Sequence, residues 1–403
     1  MKTVWKKVKI SSVCEGIYDG PHATPPISDT GFIFLGISNI TEDGHLDLSS
    51  PKYINERDFP KWTKRITPYH GDIVFSYEAT LNLYAIIPEN FKGCLGRRMA
   101  LIRPNLKKID RKFLFYYFFS PEWRNLIFTN TITGATVDRI SLINFPNFEI
   151  SLPPLETQQK IAGILSAYDD LIENNRKQIK LLEEAAQNLY KEWFVKLNFP
   201  GHENVKIIDD VPEGWKFERI DSFIELLNGF AFKSDSFDDE GKYGIITIKN
   251  VQDGAFDSAN VNRVKEVPSK MPDWCNLEIG DILLSLTGNV GRVCLVTSEN
   301  CLLNQRVAKL KSEYPAYTYT LFRSKDMFIM MNNLANGAAQ QNLSPIRTGE
   351  QKILKPTQEV ISAFENLVSP YIKKELSLFI QIQLLQSARD KLLPKLMNGE
   401  FEV

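Results

Sequence analysis

The side chains of this chain best suited to chemistry lie in short polar loops marked by glycine and proline. The first loop, Asp19-Gly20-Pro21-His22-Ala23-Thr24-Pro25-Pro26, is a rigid turn that presents the His22 imidazole and the Thr24 hydroxyl, with Lys6, Lys7 and Lys9 nearby in sequence. Arg97, Arg98, Thr136 and Arg139 extend the same set. The later half of the chain offers a second set: Leu227 to Ser234 with Lys233, the Thr287-Gly288-Asn289-Val290-Gly291-Arg292 loop, and Asn304-Gln305-Arg306. Arg and Lys hold phosphates, Arg binds a guanine edge through two donors, and Asn or Gln does the same for adenine. Each residue alone reads more readily as a solvated turn or surface charge. In combination these loops point to reading the edges of DNA.

Signatures of catalysis are absent. There is no G-x-x-x-x-G-K-S/T phosphate loop and no glycine-rich dinucleotide fingerprint after a strand. Ser151-Leu152-Pro153-Pro154 superficially matches the Asn/Asp-Pro-Pro-aromatic motif of amino-group DNA methyltransferases. It fails because Leu152 has no side-chain carbonyl to accept from a target amine and Leu155 replaces the stacking aromatic. Two prolines there suit the end of an extended segment and the first turn of a helix. Glu156 and Asp169-Asp170 read as solvated helix surface. The four histidines lack metal-ligand spacing, so no zinc site is expected. Five cysteines without C-x-x-C spacing, and no leader peptide, lead us to expect reduced thiols in a cytoplasmic protein. No apolar run reaches the roughly 18 residues of a membrane span. A net charge of −1 means that any basic surface is local.

The elements that must position the loops begin with a long amphipathic stretch from Leu155 to about Phe194. Apolar residues recur at Ile161, Ile164, Tyr168, Leu171, Ile179, Leu182, Ala186, Leu189 and Trp193, in steps of three and four. Only Gly163 interrupts the stretch between Pro154 and Pro200. A second such stretch, Val360 to Leu396, carries Phe364, Leu367, Tyr371, Leu378, Leu385, Ala388 and Leu392. Pro370 lies inside it and is expected to break or kink the helix. A long helix with one apolar seam needs a partner, so the two are expected to pair as an antiparallel coiled coil.

The rest of the chain repeats itself. Trp5, Ile10, Ser12 and Glu15 match Trp215, Ile220, Ser222 and Glu225, an offset of 215 − 5 = 210. Gly71-Asp72-Ile73 and Ser76 match Gly280-Asp281-Ile282 and Ser285, an offset of 280 − 71 = 209, and Arg98 matches Arg306 at 306 − 98 = 208. Gly134, Ser141, Ile150 and Pro153 match Gly337, Ser344, Ile353 and Pro356, at 337 − 134 = 203, just before each long helix. A drifting offset in constant order is the trace of loop insertions between two copies of one fold. Strand-like runs at Gly31 to Ile37, Asp72 to Ser76, Gly244 to Ile248 and Asp281 to Ser285, with helices at Asp110 to Phe119 and Ala316 to Met331, make each copy mixed α/β. The expected class is α+β: copies at 1–152 and 198–355 (linker 198–213), separated by helices at 153–197 and 356–403, with a pseudo-two-fold relation.

These residues resemble the specificity (S) subunit of type I restriction-modification enzymes over essentially the whole chain. The matching motifs are D-G-P-H-x-T-P at Asp19 to Pro25, G-F-A-F-K-S at Gly229 to Ser234, G-D-I at Gly71 and Gly280, and N-Q-R-V at Asn304 to Val307. The most specific is L-P-P-L-E-T-Q-Q-K-I-A-x-I-L from Leu152 to Leu165, with L-L-E at Leu181 to Glu183. The resemblance implies two target recognition domains, each binding half of a split double-stranded DNA sequence, and a helical spacer that fixes their separation. It implies docking of methyltransferase (M) subunits, which hold S-adenosylmethionine, and of translocase-nuclease (R) subunits, which use ATP and Mg. The subunit itself then has no active site and no cofactor. Leu155, Ile161, Leu165, Leu182, Phe364 and Leu385 are the helix positions expected to hold partners. The reading from residues alone leaves a non-catalytic coiled-coil adaptor for protein partners as the alternative.

Overall fold

A computed structural model describes residues 5–134, 137–259, 261–335, 341–401 and 403. The chain falls into two compact units, Met1–Leu171 with Leu385–Val403, and Ile172–Leu384. Each is built around a four-stranded antiparallel sheet. In the first unit its order is Cys14–Asp19, Met99–Pro104, Ile73–Ser76, Tyr84–Ile86; in the second it is Glu225–Asn228, Val307–Lys311, Ile282–Ser285, Val293–Leu295. The element order and pairing are the same, so the repeat is one of fold as well as sequence.

The G-D-I motif has a structural explanation in both copies. Gly71 (φ +91°) and Gly280 (φ +94°) turn the chain in the left-handed region that favours glycine. The aspartate then closes the turn: Asp72 accepts from the Tyr69 amide at 3.0 Å and Asp281 from the Glu278 amide at 2.7 Å. Asp72 also takes a two-pronged bond from Arg103, at 2.8 Å from both Nε and Nη2, while Asp281 binds Lys309 at 2.7 Å. Ile73–Ser76 and Ile282–Ser285 follow as fully buried central strands, which explains their unbroken apolar character.

Each unit has a second sheet: three strands, Lys52–Ile54, Phe32–Leu35 and Gly93–Leu95, in the first unit, and four, Asn262–Val264, Tyr243–Ile246, Cys301–Leu303 and Asn276–Leu277, in the second. A two-stranded ribbon, Lys6–Lys9 with Glu149–Leu152 or Lys216–Arg219 with Lys352–Lys355, leads into each long helix. Pro153 and Pro154, or Pro356, end the ribbon.

The long helices span Leu155–Tyr190 and Gln358–Met397. In the first unit Ile161, Ala162 and Leu165 share a core with Leu393, Leu396 and Met397, and Asp169 binds Arg389 at 2.6 Å, so the helices run antiparallel. In the second unit Asn175 donates to Gln381 at 3.3 Å, and Ala186 and Trp193 pack with Ile361, Phe364 and Val368 in the same sense.

Several expectations are corrected here. The seam is one residue off in places: Ile164, Leu171 and Leu367 are exposed, while Leu165, Ile172 and Val368 are buried. Asp169 is not solvated surface, for it accepts from Arg389 and from the Tyr116 hydroxyl. The C-terminal helix runs through Pro370 without a break. Pro370 and Asn366, whose carbonyl loses its i+4 donor, both lie on the exposed face, where water can satisfy that carbonyl while the buried seam holds the helix together. The central helix ends in a π turn over Lys191–Val195. The single helix expected over Ala316 to Met331 is two, Pro315–Phe322 and Lys325–Ala335, because Ser324 caps the second through the Met327 amide. The linker is packed rather than loose: Phe199 and Trp215 are buried, with ring centroids 5.1 Å apart.

Candidate nucleic-acid interface

Three segments meet at the end of the central strand of the first unit. The Tyr77 amide donates to the Arg98 carbonyl at 3.2 Å, and the Ile140 amide donates to the Tyr77 carbonyl at 2.8 Å. Ala79 donates to Asp138 at 2.9 Å, and Glu78 bridges Arg139 across the junction. The Ser76 hydroxyl closes the loop by donating to the Thr80 carbonyl. Ala79 (φ +66°) and Arg98 (φ +76°) adopt left-handed backbone, a cost of about 1–3 kcal/mol that persists at a non-glycine residue only where the surroundings enforce it. The Arg98 Nε lies 3.7 Å from the Glu78 carboxylate. The Asp19 loop joins through side chains. Asp19 accepts from Arg65 and from His22 Nε2 (2.9 Å), and the Tyr77 hydroxyl lies 3.3 Å from His22 Nδ1. Burial first, then the negative charges of Glu78 and Asp19, push the Tyr77 hydroxyl up to about 12, so it stays protonated. Both imidazole nitrogens are thereby engaged. His22, with 58% of its side chain exposed, offers a ring face and C–H edges rather than a free nitrogen.

The second unit builds the same junction with different side chains. The Leu286 amide donates to the Arg306 carbonyl at 3.0 Å, Leu343 to Leu286 at 2.7 Å, and Gly288 to Gln341 at 3.5 Å. Thr287 bridges Asn342, and the Ser285 hydroxyl donates to the Asn289 carbonyl. Every bond has its counterpart at the offsets of the repeat, 286 − 77 = 209, 306 − 98 = 208 and 342 − 139 = 203. Gly288 (φ +76°) stands where the first copy forces Ala79 into the same conformation. What changes is the side chains the backbone carries: Tyr77, Glu78 and Arg139 in one copy; Leu286, Thr287 and Asn342 in the other, with Tyr77, Leu286 and Thr287 buried.

Residues 3–184 and 212–364 match, one after the other, a family described as the type I restriction modification DNA specificity domain. The chain belongs to that family. Its relatives include the MjaIX type I restriction enzyme specificity subunit of Methanocaldococcus jannaschii, 26% identical over 96% of this chain and 87% of that one. The HindI specificity subunit of Haemophilus influenzae is 23% identical over 92% of this chain and 96% of its own. The crystal structure of a type I restriction-modification S subunit from M. genitalium has the same fold, with a TM-score of 0.55 at 18% identity, covering 98% of this chain and 96% of the other.

In this specificity-family chain the junctions gather some of the residues singled out by sequence and leave others apart. Arg98, Arg139, Arg306 and Thr287 are in the junctions themselves. Arg97 is exposed beside Arg98, and Gln305 beside Arg306, its amide donating to the Phe230 carbonyl at 3.0 Å. Asn289 and Arg292 lie on the loop after Thr287; the Arg292 guanidinium donates to the Gln252 side chain. Thr24 is exposed beyond His22. Lys233 opens the short turn Ser234–Ser236, with its carbonyl accepting from Ser236 at 2.6 Å. Thr136 lies outside the described residues. Sequence reasoning missed Arg65, Tyr77, Glu78, Gln252 and Asn342. The repeat register would have found two of them, since Glu78 and Asn342 sit at the repeat-equivalent positions of Thr287 and Arg139. Of the helix residues expected to hold partners, Ile161, Leu165 and Phe364 are fully buried inside the chain; Leu182 and Leu385 are half-buried, and Leu155 is exposed. No described helix is long and apolar enough to cross a membrane.

Proposed function

We infer that each unit reads one half of a split double-stranded DNA target with the side chains its junction displays. The observation that carries this reading is one backbone junction built twice with different polar sets. A scaffold that keeps its hydrogen bonds while exchanging Glu78 and Arg139 for Thr287 and Asn342 holds position constant and varies the donor and acceptor pattern, which is what distinguishing two base sequences requires. Thr24, Arg97, Arg98, Thr136 and Arg139 belong to the first reader, with His22 offering its ring. Lys233, Thr287, Asn289, Arg292, Gln305 and Arg306 belong to the second.

The domain limits expected from sequence, 1–152 and 198–355 with helices between and after, define the two readers and the spacer in this reading. The chain works as the non-catalytic specificity subunit of a type I restriction-modification complex. Methyltransferase subunits supply S-adenosylmethionine, and translocase-nuclease subunits supply ATP and Mg chemistry; this chain holds none of them. Because Ile161, Leu165 and Phe364 are committed to the chain's own cores, partner docking falls to exposed apolar residues of the same helices, such as Leu155 and Ile164 in the first unit and Leu181 and Leu384 in the second.

The test is an exchange. Residues 1–150 are replaced by those of another member of the family, and the host's methylated sites are mapped by sequencing, with and without the gene. One half of the methylated motif should change and the other should stay. Changes in both halves, or no motif that depends on the gene, would refute independent reading.

A further inference from the structure

The second junction contains a residue whose side chain is set for one task. Asn342 sits between two backbone anchors: its own bridge to Thr287, and the 2.7 Å bond from the next residue, Leu343, to the Leu286 carbonyl. Leu343 is 1% exposed, which pins the segment to the core, while Asn342 faces solvent. The Thr287 hydroxyl, on a residue only 7% exposed, donates to Asn342 Oδ1 at 3.0 Å. An asparagine amide normally shows a donor or an acceptor face with equal ease by turning over. Here the Thr287 hydroxyl acts as the donor, which seats the amide one way round. The oxygen is turned inward to Thr287 and the amide nitrogen, with two N–H donors, is turned outward. The equivalent position of the first unit carries Arg139, also a pure donor, opposite the Glu78 acceptor. Both readers thus place donors at one spot of the shared junction.

We propose that Asn342 is a specificity-determining residue of the second reader, donating from Nδ2 to an acceptor on a base edge, with Thr287 as the positioning residue that fixes its orientation. The chemistry recognised is an acceptor atom, such as purine N7, guanine O6 or thymine O4, and cytosine N4 or adenine N6 is rejected because two donors then face each other. The inference rests on the DNA-reading function above and names a residue and a polarity within it.

The test uses the assembled methyltransferase complex and its own motif, identified by methylome sequencing. Asn342→Asp keeps the acceptor for Thr287 and turns the outward donor into an acceptor; Asn342→Ala removes both without adding charge. Each should lower methylation of the original site at least about tenfold, the scale of one lost base contact. With Asn342→Ala the lost discrimination should map to one position of the second half-site. Thr287→Val should relax that same position by freeing the amide to turn over, and Thr287→Ser should restore it. Equal weakening of Asn342→Ala on all sequences would make Asn342 a phosphate contact and overturn the proposal. So would an unchanged motif in the Asp, Ala and Val variants while Arg306→Ala relaxes the second half-site, a result that leaves the DNA-reading function standing. If Arg306→Ala and the domain exchange also leave the motif unchanged, the DNA-reading function falls as well.

Discussion

Replacing Glu375 by glutamine should stabilise the second unit more the higher the pH. Glu375 is fully buried on the C-terminal helix, and Tyr319 donates to its Oε1 at 3.0 Å. Its Oε2 has no donor, yet the Glu183 carboxyl is within hydrogen-bonding range. Glu183 pairs with Arg323, which also lies 3.6 Å from Asp253 and donates to the Tyr319 oxygen at 3.1 Å. A proton on Glu375 relieves the repulsion between the two carboxyls and leaves one negative charge of the pair for Arg323. Burial first, and then the Glu183 charge, push the Glu375 carboxyl from 4.5 up to about 8. Between these values the folded chain holds a proton that the unfolded chain has released. Stability from this group is therefore complete below about pH 4.5, falls as pH rises, and is flat above about 8. At 1.36 kcal/mol per unit, the loss across the window is on the order of 5 kcal/mol, of which roughly half falls above pH 6. Glutamine has the shape of the protonated acid: it accepts from Tyr319 and donates to Glu183 at every pH. Urea melts followed by tryptophan fluorescence at pH 6 and pH 8.5 should show the advantage of Glu375→Gln growing by about 2 kcal/mol. Parallel stability profiles for the two proteins, or a variant less stable than the parent at pH 8.5, would show that no proton is held there.

Other expected outcomes follow from the cores and junctions. Arg98→Ala and Arg306→Ala should each weaken DNA binding by the assembled enzyme, by about 1–3 kcal/mol on the specific site alone if the contact is to a base. A contact to phosphate instead gives a similar loss on every sequence and a flatter dependence on salt, measured by titrating labelled duplex at several salt concentrations. Phe364→Ala should cost about 3–5 kcal/mol in a denaturant melt, because that ring is fully buried against Trp193 and Phe194, at centroid distances of 5.6 and 4.9 Å.

How much of this was legible in sequence depended on whether the signal was local. The Gly-Asp turns at Gly71 and Gly280 could be read directly, since a left-handed glycine, a turn-closing aspartate and a buried strand follow one another in the chain. The long helices were legible in existence and extent, but their buried faces were not fully so: Leu171 and Ile172 are adjacent apolar residues, and only the packing partner decides which turns inward. Pro370 misled because its propensity is local while the helix is held from outside, by a seam on the opposite face. Asp169 misled for the converse reason, its partners Tyr116 and Arg389 being 53 and 220 residues away. The candidate interface was half legible. Arg98 and Arg306 emerged because the repeat aligned them, whereas Asn342 went unread although the 203 offset of Ser141 and Ser344 also pairs it with Arg139, because an asparagine facing an arginine leaves no identity to notice. Most of the slip in offset from 208 to 203 falls in the connection from Met99–Pro104 to the helix at Arg111, or from Val307–Lys311 to the helix at Pro315, and the junction's backbone bonds survive it. A junction held by its backbone in this way can exchange its side chains one at a time without unfolding.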